Sequence, residues 1–218
     1  MSELRVQIVD YGLGNLFSIR QACLQAGITA EISSTAAGLS EVDGIILPGV
    51  GAFGHAMDTL QQRELVEPIC AAVSSGKPLL GICLGMQLLL DASEEFGLHR
   101  GLGLIPGVVR RLPERRPDGA LLRIPAVGWN RIFLNPERSE PEVECGFRDG
   151  QWVYFVHSFA AVPERSADIL TLTDYEGIRY CSAVRLGHVT GVQFHPERSA
   201  SGGIAFFRHW AAGLRKRI

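Results

Sequence analysis

Short apolar segments alternate with helical segments in the first half of the sequence, and this alternation limits the fold more than any other feature. The segments LRVQIV, VDGIILPG and KPLLGI are typical of buried strands, and TAEIS predicts a shorter one. Apolar residues recur at helical spacing over 16–26 and 57–73, with Gly27 and Gly76 as C-terminal stops. Strands joined by helices predict a parallel sheet covered by helices on both faces.

The second half contains more strands and one last helix. The predicted strands are GLIPGVVRRL, WVYFVHSF, ADILTLT, CSAVRLG and VTGVQF, and the helix covers 203–214, with Ile204, Phe207, Trp210 and Leu214 inward. Segments 113–125 and 134–146 are rich in proline and charge, which is typical of surface loops. We therefore expect a single three-layer α/β domain over residues 1–218, with a mostly parallel mixed sheet.

Composition excludes several classes of function. A net charge of −2 argues against nucleic acid as a partner, and without a long uncharged apolar run we expect no membrane span. The N-terminal MSELRVQIVD interrupts its apolar run with charges and predicts a strand, not a signal peptide. The five cysteines form no C-x-x-C pair, so we expect neither disulfides nor structural zinc. The expected compartment is the reducing cytosol, and no metal or cofactor is expected.

The segment GICLGMQLLL places Cys83 between Gly81 and Gly85, after a predicted strand and before a predicted helix over GMQLLL. This G-x-C-x-G pattern is typical of a nucleophile elbow, in which glycines avoid collisions around a sharp turn. The thiol would project from the carboxyl end of the sheet, at a helix N-terminus that favours the thiolate. The Leu84 N–H could stabilise an oxyanion. The alternative is a small buried apolar residue, which is what most cysteines are.

A cysteine nucleophile needs a base, and the segment VTGVQFHPERS offers the best one. Pro196 keeps His195 extended, so that His195 and Glu197 point to the same side of the chain. The carboxylate could then accept from one ring nitrogen while the other faces the thiol. His157, at a strand end, is a weaker candidate. The remaining histidines are expected to be solvated: His55, His99, His188 and His209.

Two glycine-rich segments are also candidates for a site. LPGVGAFG could bring backbone N–H groups of Gly49, Val50 and Gly51 close to a ligand. It lacks the Gly-Lys-Ser/Thr of a phosphate-binding P-loop, so a second oxyanion donor is the better interpretation. GLGNLF has Phe17 where the third glycine of a dinucleotide fingerprint belongs, which argues against a nucleotide cofactor.

The motifs GICLGMQLL, PGVGAFG, GWN, YFVHSF and GVQFHPERS together resemble the class I glutamine amidotransferases. Within them, PGVGAF and GWN are similar to the amidotransferase subunits of imidazole glycerol phosphate synthase, which serve histidine biosynthesis. The resemblance implies a flavodoxin-like core and glutamine hydrolysis to glutamate and ammonia through a thioester.

It implies Cys83 as nucleophile, His195 as proton carrier and Glu197 as its orienting partner. Leu84 and the 49–51 loop would supply oxyanion donors, and the loop would reorient first. Gln87, Ser158 and Phe159 would bind the α-amino and carboxylate groups.

The resemblance also implies a partner, a cyclase subunit that is a (β/α)₈ barrel and receives the ammonia directly. The residues that match the docking face are Asn15, Trp129, Asn130, Tyr154 and Arg198. Two departures from the family pattern occur. Ala126-Val127 replaces the usual His-Met before GWN, which puts the coupling of activation in question. Phe159 replaces a tyrosine near the expected glutamine site.

Three other functions stay open. The chain could be an amidotransferase of another pathway, of the anthranilate or aminodeoxychorismate type. It could be a stand-alone cysteine hydrolase that cleaves γ-glutamyl bonds without a partner. It could also be a non-catalytic regulatory subunit, although retention of Cys83, His195 and Glu197 speaks against this.

Overall fold

One hydrogen-bonded sheet joins both halves of the sequence in the computed structural model, which describes residues 4–138 and 146–216. The helices in the described part are α1 (Leu16–Gln25), α2 (Phe53–Gln62), α3 (Val66–Ser74), α4 (Leu84–Leu88) and α5 (Ala200–Arg215). The strands in this part are β1 (Arg5–Val9), β2 (Thr29–Ser33), β3 (Gly44–Leu47), β4 (Leu79–Ile82), β5 (Leu90–Ser93), β6 (His99–Arg100), β7 (Ile105–Arg111), β8 (Ala126–Leu134), β9 (Gln151–His157), β10 (Phe159–Pro163), β11 (Ile169–Tyr175), β12 (Ile178–Leu186) and β13 (Val189–Val192).

The strand order brings the last strand of the chain into the middle of the sheet. The main path runs β2-β1-β3-β4-β13-β12-β10-β7-β5-β6, with β11 pairing β12 and β8, and β9 pairing β8. Along this path the first five strands, β2, β1, β3, β4 and β13, are parallel to one another. Strand β13 pairs β4 with Val192 opposite Ile82. The ends of β4 and β13 therefore lie side by side at the carboxyl edge, where open α/β sheets bind ligands.

Two apolar clusters cover the two faces of the sheet. On one face, Ile19 of α1 and Phe207 of α5 pack in a cluster with β1 residues such as Ile8. On the other, Leu60 of α2 and Ile69 of α3 belong to a second cluster. Helices on both faces of a mixed sheet confirm the predicted three-layer α/β architecture. No helix in the described residues is long and apolar enough to cross a membrane.

The structure differs from the predicted elements in several places. The helix predicted over 57–73 is two helices, because the chain turns at Glu64 with a φ of 55°. The helix after Cys83 ends at Leu88, and Leu90 already begins β5. Strands β6, β8 and β10 are not among the predicted strands, and the pairing of β8 with β9 runs from Ala126–His157 to Ile132–Gln151. The predicted loop over 113–125 contains no helix or strand, and part of the other, 139–145, lies outside the described residues.

Candidate active site

The turn at Cys83 has the strained geometry that the flanking glycines predict. Cys83 has φ 55° and ψ −111°, between the end of β4 and the start of α4. A Cβ on Gly81 would lie 2.6 Å from the carbonyl oxygen of Gly85, and one on Gly85 would lie 1.9 Å from that of Leu47. Because no Cβ fits at either position, only glycine allows this turn, and a positive φ at a non-glycine residue is typical of functional sites.

His195 and Glu197 form a buried pair a short way beyond the end of β13. Nδ1 of His195 lies 2.8 Å from Oε1 of Glu197, and the glutamate side chain is fully buried. The backbone of Cys83 donates to Val192 of β13 at 2.8 Å, so the two segments leave the sheet together. The structure therefore brings Cys83 and the His195–Glu197 pair to one place, although the two segments are far apart in sequence.

The side chains of Cys83 and His195 interact directly. Burial lowers the pKa of His195, but the side chains of Cys83 and Glu197 raise it, and the net effect is a pKa well above its ordinary value. Nε2 of the ring is buried and makes no hydrogen bond of normal geometry to any described residue. It is thus the nitrogen available to exchange a proton with the thiol or a substrate, because Nδ1 is engaged by Glu197.

The 49–51 loop lies directly beside the start of α4. A Cβ on Gly49 would meet the Leu84 side chain at 2.9 Å and the Gly85 backbone nitrogen at 3.0 Å, so the loop and the elbow are in contact. Val50 is 42% exposed, and Gly51 has a φ of 102° that favours glycine. The loop therefore borders the elbow, and the role of its N–H groups as oxyanion donors stays a prediction.

The predicted substrate-binding residues also converge near the elbow. Nε2 of Gln87 donates to the carbonyl oxygens of Phe159 and of the Gln193 side chain, both at 3.0 Å. Ser158, at the bend between β9 and β10, accepts from Leu112 N through its carbonyl oxygen at 2.9 Å. Gln87 therefore contacts the 158–159 turn directly. The roles of these side chains toward a substrate remain predictions.

Some residues that line this region were not found by sequence reasoning. Glu95 is buried, and its carboxylate accepts from Phe53 N at 2.7 Å, at the start of α2. Phe96 follows with a φ of 54° and places its exposed ring edge-on to Phe159, with centroids 6.5 Å apart. In the sequence, the two adjacent carboxylates of SEEF are only a weak indication of this turn. Gln193 is a polar residue in an apolar strand, VTGVQF, and this signal was available.

Three of the predicted docking residues form one exposed surface behind His195. Trp129, 50% exposed, lies edge-on to the Tyr154 ring, and the Arg198 guanidinium lies 4.1 Å from the centre of that ring. Asn15 is exposed at the start of α1. Asn130 instead donates to the carbonyl oxygen of Asp174 at 2.8 Å, which ties β8 to β11.

The other histidines divide into structural and peripheral ones. His157 is buried between the carbonyl oxygen of Phe159, 2.9 Å from Nδ1, and the hydroxyl of Tyr180, 3.1 Å from Nε2. Burial lowers its pKa to about 4, so it is neutral and held by both ring nitrogens. Three histidines predicted to be solvated are only partly exposed: His99, His188 and His209. His188 lies 2.8 Å from the carbonyl oxygen of Val73, and His99 packs against Gly54.

Metal chemistry has no obvious ligand set here. In residues 4–138 and 146–216, no three His, Cys, Asp or Glu side chains are grouped so that they could hold a metal ion. The site offers a thiol, an imidazole, a carboxylate and backbone donors, a set suited to acyl transfer through cysteine.

Solved structures with low sequence identity share the fold. The structure of PurLQS from Thermotoga maritima superimposes with a TM-score of 0.72, at 20% identity, and the match covers all of both chains.

Curated relatives are much closer in sequence. A protein from Symbiobacterium thermophilum named imidazole glycerol phosphate synthase subunit HisH is 43% identical over 94% of this chain and 92% of its own. One of the same name from Aquifex aeolicus is 41% identical over 98% and 99%. The family described as "Glutamine amidotransferase class-I" matches residues 7–209. The chain belongs to the class I glutamine amidotransferase family.

Proposed function

We propose that this protein is the glutaminase subunit of an imidazole glycerol phosphate synthase, and that it hydrolyses L-glutamine to L-glutamate and ammonia for histidine biosynthesis. The observation that carries the proposal is the convergence of Cys83 with the His195–Glu197 pair at one edge of the sheet. Relatives that carry this name match nearly the whole chain at 41–43% identity, which supports this pathway over the others.

The reaction starts with proton transfer from the Cys83 thiol to Nε2 of His195. The thiolate attacks the side-chain carbonyl carbon of glutamine, and the Leu84 N–H and the 49–51 loop stabilise the oxyanion. The imidazolium gives its proton to the leaving nitrogen, ammonia departs and a γ-glutamyl thioester remains. His195 then deprotonates a water molecule, which releases glutamate and restores the thiol. Glu197 keeps Nε2 facing the sulfur throughout.

The ammonia would pass to a cyclase subunit, a (β/α)₈ barrel, that docks on the surface around Trp129, Tyr154 and Arg198. Half-exposed aromatics with an arginine are typical of the centre of an interface. Direct transfer keeps the ammonia unprotonated, because bulk water would convert it to unreactive ammonium. Val127, two residues before Trp129, is 56% exposed, whereas Ala126 is buried, so Val127 is the residue of this unusual pair that would meet the partner. The expected compartment is the cytosol, because Cys23, Cys70, Cys83 and Cys181 are all free thiols.

Copurification with the cyclase subunit, followed by glutaminase assays with and without the cyclase's ligand, tests the proposal. We expect a stable heterodimer, low resting activity and a large rise when the ligand is present. Cys83→Ala should abolish glutamine-dependent synthesis, whereas added ammonia should still support the cyclase. Failure of ammonia to rescue synthesis would contradict this division of labour.

The same assay separates the alternatives. An amidotransferase of the anthranilate or aminodeoxychorismate type would be activated by a different synthase, and a stand-alone γ-glutamyl hydrolase would be fully active alone. A non-catalytic subunit would leave Cys83 unlabelled by 6-diazo-5-oxo-norleucine in the activated complex.

A further inference from the structure

Gln193 is a fully buried amide that contacts both the nucleophile and a predicted substrate-binding residue. It lies directly after β13, two residues before His195, with no exposed surface. Its Oε1 accepts from Nε2 of Gln87 at 3.0 Å, and its Nε2 donates to the Cys83 sulfur at 3.8 Å. Burying an amide is costly unless its donors and acceptors are engaged, and here two ends of the side chain are engaged inside the site.

The orientation of both amides follows from one backbone carbonyl. The Phe159 carbonyl can only accept, so the nitrogen of Gln87 must face it. The same nitrogen then has a second N–H for Gln193, which must present its oxygen. The nitrogen of Gln193 consequently faces the sulfur, and Oε1 of Gln87 remains as the acceptor available to a bound amino acid.

The surroundings of the sulfur make this donor important. The Cys83 thiol also lies 3.9 Å from the carbonyl oxygen of Val156, to which an S–H can donate. The carbonyl oxygen carries a partial negative charge and cannot donate a hydrogen bond. It therefore disfavours a thiolate at this position. The N–H of Gln193 approaches the sulfur as a donor and favours the charged form.

We propose that Gln193 is a further residue of this reaction site: its N–H stabilises the Cys83 thiolate, and its carbonyl oxygen orients Gln87 toward the substrate's α-ammonium group. The inference rests on the proposed glutaminase function. It assigns to one buried side chain both a contact with the attacking atom and the positioning of a binding residue.

Alkylation of Cys83 by iodoacetamide tests the thiolate half without glutamine or a partner. The rate would be followed from about pH 5 to about pH 10 by mass spectrometry of the peptide that contains Cys83, since Cys70 is also free and partly exposed. Gln193→Leu removes the donor, and Gln193→Glu, nearly isosteric, replaces it with a carboxylate. We expect the pH of half-maximal alkylation to rise by about one unit in both variants. Gln7→Leu is the matched control, because Gln7 is also a buried strand amide, bonded to Thr35 O.

Steady-state kinetics of the activated complex test the positioning half. Gln193→Glu keeps an acceptor for Gln87, so its KM for glutamine should rise less than that of Gln193→Leu, while kcat falls in both. If neither variant folds by circular dichroism, Gln87→Leu carries the test. It removes the group that orients Gln193 and should also move the alkylation curve upward.

Alkylation curves that coincide with the wild type in every folded variant would overturn the inference. A wild-type chain that shows no glutaminase activity with the cyclase would instead overturn the proposed function. The two failures are therefore distinguishable.

Discussion

The Tyr11 hydroxyl donates a 2.8 Å hydrogen bond to the carbonyl oxygen of Pro48, the residue from which the 49–51 loop begins. Tyr11 is fully buried, and burial together with the charge of Cys83 raises the pKa of its hydroxyl, which therefore stays a neutral donor. A Cβ on Gly49 would lie 2.6 Å from the hydroxyl oxygen of Tyr11. Tyr11 thus fixes one end of a loop whose middle is exposed and glycine-rich.

We expect Tyr11→Phe to lower kcat of the activated glutaminase by roughly three- to tenfold, with KM for glutamine little changed. The substitution leaves the Pro48 carbonyl buried without its donor, which costs about 1–3 kcal/mol. It also loosens the loop proposed to donate to the oxyanion, a contact made only in the transition state. Steady-state kinetics and thermal unfolding measure the two effects.

Tyr175→Phe is the control for this change. Its hydroxyl also donates to a carbonyl oxygen, that of Arg123 at 3.0 Å, but at an exposed position away from the elbow. It should lose less stability and keep kcat. Equal losses of kcat in the two variants would contradict a role for Tyr11 at the loop.

The second prediction concerns the proton on His195. Because Cys83 raises the pKa of His195 and burial lowers it, Cys83→Ala should lower that pKa by about one unit or more. A raised folded-state pKa means that the protonated ring stabilises the fold at acidic and neutral pH, and that this contribution is lost as the pH rises through the raised pKa. NMR titration of the labelled imidazole measures the change. An unchanged pKa would mean that the sulfur and the ring do not interact.

The third prediction is acid destabilisation through His157. Burial lowers the pKa of His157 to about 4, below the unfolded value near 6.5. The free energy of unfolding should therefore fall as the pH drops from about 6.5 to about 4, by up to about 3 kcal/mol from this group. Denaturant unfolding at several pH values measures the slope. His157→Gln should flatten it in this window, whereas His55→Gln, in an exposed part of α2, should not.

The sequence alone was sufficient for the parts of the site that depend on local pattern. G-x-C-x-G defined the elbow, because no Cβ fits at 81 or 85. A strand ending in HPE gave the His195–Glu197 pair, because both side chains come from one short segment. Parallel strands also carry their pattern locally, as unbroken apolar runs.

The remaining features depend on contacts between distant segments. Gln193 contacts the Cys83 sulfur, and Tyr11 contacts the Pro48 carbonyl oxygen, only because the strand order brings these segments together. The spacing of residues in the sequence does not indicate that order. The sequence does not predict the break near Glu64, because Leu60, Leu65 and Ile69 all face the core and the helical spacing continues across the turn. The sequence does not predict strand β8, because apolar and polar residues alternate only weakly in AVGWNRIFL.

The fourth prediction concerns Ser199, which joins the segment of His195 to the candidate docking surface. Its Oγ donates to the carbonyl oxygen of His195 at 2.7 Å and accepts from Tyr154 N at 3.0 Å, and His195 N donates to Tyr154 O at 2.8 Å. The ring of Tyr154 in turn contacts Trp129 and Arg198. A shift of β9 on docking would therefore be transmitted to the imidazole through these three bonds.

Ser199→Ala should reduce the activation of glutaminase by the cyclase's ligand severalfold and change the resting rate less. It should also destabilise the fold by about 1–3 kcal/mol, since two buried backbone groups lose a partner. Ser182→Ala is the matched control: Ser182 is fully buried and bonded to Thr171 at 2.9 Å in β11–β12, away from the docking surface. It should lose stability but keep the activation ratio. If both variants kept the wild-type ratio, the Ser199 contacts would only stabilise the fold, and the coupling would run through other residues.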